Sequence, residues 1–379
     1  MMISSKFQKS KLKLGQLAFE YCRSLKAEII IDSEGSISSN AFAYCGGLQS
    51  LQLTPQENDY LETTDKNDNS VLTRQSIGSG AFYRSSLGGD LVIPLTFTSI
   101  GSEAFAYCNL KSISINGSDT IPQTISSKAF YRAAPLQAAN KFDLDLPFSV
   151  VDVGDYAFAH CPIETLSIYG TTLSHNVQGD YYTSTTIGKN AFESCSLMKT
   201  LTFDGFDILF DRTSFRGCQI ESLSLGNIEV IPDYAFYEMA TIKGDVIIPD
   251  SVTYIGSRAF AGCTEISSID LSNQTRYVFQ NNPNDDNTPS TPSTVSKSIG
   301  FGAFDGCTNL GSAKIPYGVT AIPSRCFYKC TKLSSVEIPN TVTSIQSYAF
   351  YQCSGLNMKI ELPDELTEIQ QHAFYGCKS

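Results

Sequence analysis

The chain has 379 residues, 42% of them hydrophobic, which is enough apolar material for a large folded core. Its 38 acidic and 27 basic residues give a formal net charge of -11, which argues against a nucleic-acid-binding surface because phosphate recognition needs clustered Lys and Arg. No segment approaches the roughly 18 consecutive apolar residues of a membrane span. Residues 1–13 are interpreted as a polar N-terminal end, which has no apolar run like that of a signal peptide.

From residue 14 to residue 379, a unit centred on the pair Ala-Phe recurs fourteen times. The repeated phenylalanines are at positions 19, 42, 82, 105, 130, 158, 192, 215, 236, 260, 304, 327, 350 and 374. Nine of the thirteen spacings are 21 to 25 residues, which lies within the range of leucine-rich repeats. The residue five positions before the Phe is aliphatic except at Phe210, and the residue directly before it is Ala except at Ser214 and Cys326.

Each unit continues into a short segment with the alternation of a β-strand. In Ile220 to Leu225, a period of two places Leu223 and Leu225 inward and Ser222 and Ser224 outward. One such unit can bury its apolar side only against further copies, so the units are predicted to stack with parallel strands. We therefore expect an α/β-type repeat solenoid dominated by short parallel β-strands, a single-domain rod of about fourteen coils.

A clean copy of the repeat runs from Ile100 through Ala104, Phe105 and Cys108 to Ile115. This pattern resembles the BspA-type leucine-rich repeat, and the resemblance covers nearly the whole chain. It implies a protein-binding role, since family members are mostly surface or secreted proteins and some resemble adhesins that bind matrix proteins. It implies neither a cofactor nor catalysis.

Four segments lengthen the repeat between the end of a strand and the next Ala-Phe turn. They are residues 54–74, 134–150, 170–186 and 273–298. Because all four enter at the same point of the repeat, they are expected to emerge along one side of the rod. Loops on a rigid scaffold often bind ligands, although simple tolerance of insertions predicts the same picture.

Eleven of the twelve Cys lie three residues after the repeated Phe, and Cys326 is the twelfth. Ser85, Ala133 and Met239 occupy the same position, which favours a small or adaptable buried side chain over a required thiol. A disulfide framework is less favoured, because each Cys lines up with its equivalents in neighbouring coils. Zinc is less favoured still, since only Cys326 and Cys330 have near-ligand spacing and no His lies nearby in the sequence.

Two further signals for chemistry are weak. His160, His175 and His372 are the only histidines, and they are scattered along the chain. The Asp65 to Asn69 segment begins like a calcium loop, but Ser70 stands where Gly is needed. We predict no catalytic, cofactor-binding or metal-binding residues.

The outward strand positions form a hydroxyl-rich surface, which we call the polar strip. It consists of Ser112, Ser114, Thr165, Ser167, Thr200, Thr202, Ser222, Ser224, Ser268, Asp270, Ser312, Lys314, Ser335 and Glu337. Small polar side chains also suit any exposed pleat, so the strip is a candidate binding surface with a purely structural alternative.

The sequence is compatible with two functions. One is a surface or secreted adhesion module that binds a protein or extracellular-matrix partner. The other is an intracellular protein-interaction scaffold, favoured by the missing export signal and the many thiols. The terminal coils lack an obvious cap, which adds the expectation of a fragment or of end-to-end self-association.

Overall fold

The computed structural model describes residues 14–31, 35–53, 62–64, 70–72, 75–117, 121–135, 140–170, 184–205, 207–270, 297–356 and 360–378. Strands and turns make up these ranges, and no α-helix occurs within them. Nothing in the described ranges therefore has the long apolar helix that crosses a membrane. The polar end at residues 1–13 lies outside the described residues.

The described strands are short. In chain order they are β1 (Ala27–Ile31), β2 (Leu48–Leu53), β3 (Glu62–Thr64), β4 (Ser70–Leu72), β5 (Gln75–Ile77), β6 (Gly88–Ile93), β7 (Phe97–Ile100), β8 (Asn109–Ile115), β9 (Gln123–Ile125), β10 (Phe142–Leu146), β11 (Val150–Val153), β12 (Ile163–Tyr169), β13 (Thr185–Ile187), β14 (Thr200–Asp204), β15 (Ile208–Phe210), β16 (Ser222–Ser224), β17 (Val230–Ile231), β18 (Gly244–Ile247), β19 (Tyr254–Ile255), β20 (Ile266–Asp270), β21 (Ser298–Ile299), β22 (Ser312–Lys314), β23 (Ala321–Ile322), β24 (Ser335–Glu337), β25 (Ser344–Ile345) and β26 (Glu368–Ile369).

Contacts between residues divide the chain into two compact units, residues 1–220 and 221–379. In both units a coil contributes two kinds of strand: a pre-turn strand just before the Ala-Phe turn and a post-turn strand after it. In the first unit the pre-turn strands form one sheet in the order β15-β13-β11-β9-β7-β5, and the post-turn strands form the groups β1-β2, β6-β8 and β10-β12-β14.

The second unit repeats this arrangement. Its post-turn strands pair in the order β18-β20-β22-β24, and its pre-turn strands form the groups β17-β19-β21 and β23-β25-β26. These pairings are parallel, as the stacking of identical coils requires. The predicted parallel-strand leucine-rich-repeat solenoid is therefore confirmed, with turns in place of any α-helix in the described residues.

The phenylalanine ladder forms the centre of the core in each unit. In the first unit the eight rings from Phe19 to Phe215 stack with centroids 4.9 to 5.6 Å apart. In the second, the six rings from Phe236 to Phe374 are 5.0 to 5.7 Å apart. Offset stacking of this kind adds to the apolar burial of each ring. The repeated Phe thus lies inside the coils, as the sequence predicts.

The Ala-Phe turns also carry a backbone hydrogen-bond ladder of their own. The amide of Phe82 donates to the carbonyl of Ala104 at 2.7 Å, and the amide of Phe105 donates to Ala129 at 2.8 Å. Ala104 is completely buried, and the Ser and Cys that replace Ala in two other coils are buried as well. The position therefore accepts only a small side chain between the neighbouring turns. This close approach is the physical reason for the pairing of small Ala with large Phe.

The four insertion ranges are only partly described. Residues 62–64 and 70–72 form an antiparallel pair inside the range 54–74. The range 134–150 contains strand β10, a regular post-turn strand that pairs with β12. Residues 171–183 and 271–296, which make up most of the other two ranges, lie outside the described residues, as does the calcium-like segment at 65–69.

Candidate functional site

Every residue of the polar strip lies on a post-turn strand, and none of them is buried. The apolar residues that alternate with them point inward. Examples are Leu166, Ile168 and Leu201, which have no exposed surface. Period-two alternation therefore separates the two faces of these strands, although Leu223 on β16 and Val336 on β24 are only half-buried.

Strand register aligns the strip residues in rows across neighbouring coils. In the first unit, Thr165 is paired with Thr200 and Ser167 with Thr202. In the second, Ser268, Ser312 and Ser335 form one row, and Asp270, Lys314 and Glu337 form the next. The Lys314 and Glu337 side chains form an exposed ion pair at 3.4 Å.

Carboxylates extend these rows, and sequence reasoning did not select them. Asp143 and Asp145 on β10 lie in register with Thr165 and Ser167, and Asp90 lies beside Ser112. The Ser112 hydroxyl donates a hydrogen bond to Asp90 Oδ1 at 2.7 Å. The polar strip is consequently more acidic than its hydroxyl composition indicates.

In the second unit, the carboxylate of Asp245 also lies beside the polar strip. Its Oδ1 accepts hydrogen bonds from the Ser268 hydroxyl at 2.6 Å and the Ser267 hydroxyl at 2.8 Å. These two hydroxyls hold the pKa of the Asp245 carboxyl below its ordinary value. The carboxyl is therefore kept in its charged form on the exposed sheet.

Each unit has a second candidate surface along its Ala-Phe turns, and we call this surface the tyrosine edge. It comprises tyrosines at the positions directly after the repeated Phe, two after it, or two before it. They are Tyr21, Tyr44, Tyr83, Tyr107, Tyr131 and Tyr156 in the first unit and Tyr234, Tyr237, Tyr328, Tyr348, Tyr351 and Tyr375 in the second. Twelve of the 19 tyrosines thus lie on one kind of turn. Aligning the repeats on Phe and reading the neighbouring columns would have revealed them.

The aromatic side chains of the tyrosine edge contact one another from coil to coil. Tyr21 and Tyr44 stack with centroids 4.6 Å apart, and Tyr44 meets Tyr83 edge to face at 5.5 Å. The row continues through Tyr107 and Tyr131 at 5.8 and 5.4 Å. In the second unit, a stacked row joins Tyr328, Tyr351 and Tyr375 at 4.9 and 5.1 Å.

Cations lie over several of these rings. The Arg84 guanidinium is 4.7 Å from the centroid of Tyr107, and the Arg325 guanidinium is 3.9 Å from that of Tyr328. Arg325 also pairs with Asp305 at 2.9 Å, which fixes its position over the ring. Tyr and Arg are the residue types that most often dominate the energetics of protein interfaces.

Next to the tyrosine edge of the first unit lies an open groove of about 580 Å³. It is lined by Glu20, Tyr21, Ser39, Asn40, Tyr44, Ser79, Gly80, Tyr83, Ser102, Glu103, Ser127 and Lys128. These residues come from the five coils of Phe19, Phe42, Phe82, Phe105 and Phe130. Sequence reasoning named none of them as a site residue, because each is unremarkable within its own repeat.

The cysteines have a structural contact that the sequence did not indicate. Cys161 Sγ donates to the Phe130 carbonyl at 3.1 Å, and Cys263 Sγ donates to the Phe236 carbonyl at 3.1 Å. All twelve Cys are unpaired, and all are buried except Cys22 and Cys377, which are partly exposed. Burial raises the pKa of the Cys161 and Cys263 thiols to about 12, so both remain protonated.

The histidines and cysteines form no assembly suited to catalysis or metal binding in the described part of the chain. His160 packs edge to face on Tyr131, and burial, with Arg132 nearby, lowers the pKa of its imidazole. His372 lies against Tyr348 and Tyr375. No group of three or more potential metal ligands occurs within the described ranges. His175 lies outside them.

Parallel strands that recur with a period of 21 to 25 residues in most coils are typical of the leucine-rich-repeat class. The model of the BspA type leucine rich repeat region matches residues 2–67, 75–203, 123–224, 178–288 and 275–379. These matches cover nearly the whole chain, and the protein belongs to this family. The resemblance seen in the sequence is therefore confirmed.

Solved structures of leucine-rich-repeat proteins resemble the chain over most of its length. A protein from Bacteroides ovatus is 23% identical, with 87% of this chain and 85% of that chain covered and a TM-score of 0.45. One from Eubacterium ventriosum is 21% identical, with 87% and 89% covered and a TM-score of 0.34. A leucine rich cell surface protein from Faecalibacterium prausnitzii is 19% identical, with 87% and 91% covered and a TM-score of 0.28. A search of curated proteins found no match.

Proposed function

We propose that this protein is a non-enzymatic adhesion or interaction module of the cell surface, which binds a protein or extracellular-matrix partner through the polar strip. Family membership supports a binding role. The surface location is supported by the resemblance to a family whose members are mostly surface or secreted proteins. The observation that carries the proposal is the register of the strip. In each unit, equivalent polar positions are repeated from coil to coil on an exposed sheet.

The chemistry of the strip favours an extended partner with hydrogen-bonding and basic groups. Asp143, Asp145 and Asp90 place negative charge beside the hydroxyl rows of the first unit. Complementary charge on a partner would speed association and select against acidic competitors. Because the side chains are short, the partner could approach the backbone of the sheet closely.

Binding of the purified protein to immobilised laminin, fibronectin and collagen tests this proposal. We expect Ser167→Arg combined with Thr202→Arg to weaken binding at least about tenfold, because two bulky cations would occupy one row of the strip. The matched control is Thr124→Arg combined with Thr186→Arg, which adds the same charge to the pre-turn sheet of the same unit. Equal losses in both variants, or no binding by the unaltered protein, would contradict the proposal.

An intracellular interaction scaffold is the alternative, and the twelve unpaired thiols favour it. Labelling intact cells with a membrane-impermeant biotin reagent distinguishes the surface module from the intracellular scaffold. Modification of the exposed Lys199 or Lys332 in intact cells supports the surface proposal, whereas modification only after lysis supports the scaffold.

A further inference from the structure

We infer that the groove beside the tyrosine edge of the first unit binds a neutral, linear oligosaccharide, as a second ligand in addition to the partner of the polar strip. The groove crosses five coils and has a volume of about 580 Å³. Its lining combines aromatic rings with short polar side chains. That combination suits sugars, which have apolar C–H faces and polar hydroxyl edges.

The aromatic part of the lining is exposed. Tyr21 is 54% exposed, and Tyr44 and Tyr83 are each partly exposed. Their contacts with one another limit how far the rings can rotate, so little side-chain entropy is lost when a ligand packs on them. Because Tyr21 and Tyr44 lie face to face, with ring planes 5° apart, a sugar would contact a preformed row of ring edges.

The polar part of the lining is free to bind. Within the part of the chain that the structure describes, the Ser39, Ser79 and Ser102 hydroxyls and the Asn40 amide make no hydrogen bond. Gly80 leaves room for that amide, since a Cβ at this residue would lie 2.1 Å from Asn40 Oδ1. Hydroxyl and amide groups both donate and accept, as sugar hydroxyls do.

The Ser127 hydroxyl, in contrast, already has a hydrogen-bond partner. It donates to the Asp155 carbonyl at 2.9 Å, so it is less available than the other three. The free hydroxyls of Ser39, Ser79 and Ser102 lie at one repeat position, one per coil. The tyrosine centroids beside them are 4.6 and 5.5 Å apart, close to the length of one sugar unit in a β-1,4-linked chain. Successive sugars would therefore meet equivalent groups on successive coils.

The charges around the groove favour a neutral sugar. Lys128 is the one cation among the lining residues, and it pairs with Glu103 at 3.7 Å, while Glu20 adds a further carboxylate. The Arg84 guanidinium lies beside the groove, 5.5 Å from the Tyr83 ring centroid, and balances the charge of Glu20. With no net charge left over, the groove offers no electrostatic gain to a uronate or sulfated chain.

A proline-rich peptide is the main competitor, because such peptides also dock on aromatic grooves. Proline has no amide hydrogen and would leave the acceptor capacity of the serine and asparagine groups unused. The free polar groups thus favour the sugar over the peptide.

Isothermal titration calorimetry with cellohexaose and chitohexaose tests the inference on the full chain. We expect Tyr21→Ala combined with Tyr44→Ala to weaken binding at least about tenfold, because the two rings provide most of the apolar contact. Ser79→Ala combined with Ser102→Ala, which leaves the rings in place, should weaken it several-fold. Since the chain has no Trp, tyrosine fluorescence offers a second readout of binding at the edge.

Two controls keep this test separate from that of the polar strip. Tyr317→Ala removes an exposed tyrosine of the second unit and should leave sugar binding unchanged, as should Ser167→Arg with Thr202→Arg. Absence of binding to both hexasaccharides would overturn the inference. The inference would also be overturned if the variant with Tyr21→Ala and Tyr44→Ala bound the sugars as tightly as the unaltered protein. Tighter binding of a heparin hexasaccharide, or binding of decaproline alone, would overturn it as well. None of these outcomes bears on the matrix-binding experiment.

Discussion

At the residue scale, neighbouring coils approach so closely that particular positions accept only glycine. A Cβ on Gly101 would lie 2.5 Å from the Ser79 amide nitrogen, and one on Gly256 would lie 2.3 Å from the Asp233 nitrogen. Both contacts are with backbone atoms that cannot rotate away. These two glycines, each four residues before a repeated Phe, therefore reflect the close approach of neighbouring coils.

We expect Gly101→Ala to lower the free energy of unfolding by about 1–3 kcal/mol, because the added methyl group must push two coils apart. The control is Gly311→Ala, where the nearest atom would be 3.5 Å away, in ordinary contact distance. Urea denaturation followed by circular dichroism measures both. An equal effect of the two substitutions would show that loss of glycine itself, not the close approach, is responsible.

The turns also hold non-glycine residues in the left-handed region. Glu103 and Tyr107 have φ of 58° and 60°, and Lys128 and Arg132 repeat this at 58° and 51°. Each costs roughly 1 kcal/mol relative to an ordinary conformation. The hydrogen bonds between turns offset this cost, since the amides of Glu103 and Tyr107 donate to the carbonyls of the next coil.

The buried thiols are predicted to be chemically inert in the folded protein. With a pKa of about 12, the Cys161 and Cys263 thiols have almost no thiolate at pH 8, and the reagent also cannot reach them. Native labelling with iodoacetamide, read by mass spectrometry, should modify Cys22 and Cys377 first. Unfolded protein provides the control, in which all twelve Cys react. Fast native labelling of Cys263 would contradict its burial.

At the element scale, the phenylalanine ladder links each coil to its two neighbours. Phe105 is completely buried and stacks on Phe82 and Phe130, each at 5.2 Å. Because the stability of a solenoid is largely the sum of repeat and interface contributions, a break in the ladder weakens two interfaces together.

We predict that Phe105→Ala lowers the free energy of unfolding by about 3–5 kcal/mol, the range for a buried aromatic residue that leaves a cavity. Phe301→Ala serves as the control, since Phe301 is 41% exposed and lies outside the ladder. Chemical denaturation should show a loss below about 1 kcal/mol for the control. A similar small loss for Phe105→Ala would mean that the ladder contributes little to stability.

At the scale of the whole molecule, the net charge of -11 opposes compaction. The ion pairs of the described residues, such as Lys141 with Glu164 and Lys128 with Glu103, are largely exposed and contribute little individually. We therefore expect repulsion among carboxylates to outweigh these attractions.

We expect the melting temperature to rise when sodium chloride is increased from about 0.01 to 0.15 M, because the Debye length falls from about 30 to 8 Å. Differential scanning fluorimetry with an extrinsic dye measures this change. Sodium chloride is used because sulfate would stabilise most proteins irrespective of their charge. A fall in melting temperature would show that attractive pairs dominate.

The amino-acid sequence by itself determined the coil, its phenylalanine position and the outward face of its strands. The Ala-Phe recurrence and the period-two alternation are local patterns, and Ser222 and Ser224 are exposed on β16 as those patterns require. The sequence also indicated that most cysteines are buried. These features depend on residues within one repeat, so they are readable without coordinates.

Only the tertiary structure decided which side chains of different repeats meet. Asp143 lies beside Thr165, and Tyr21 beside Tyr44, because the register between coils brings together residues more than twenty positions apart. Alignment on the repeated Phe shows which positions are equivalent, but it does not show which of their side chains touch. The acidic margin of the polar strip and the groove at the tyrosine edge arise from the stacking of coils, a property that no single repeat contains.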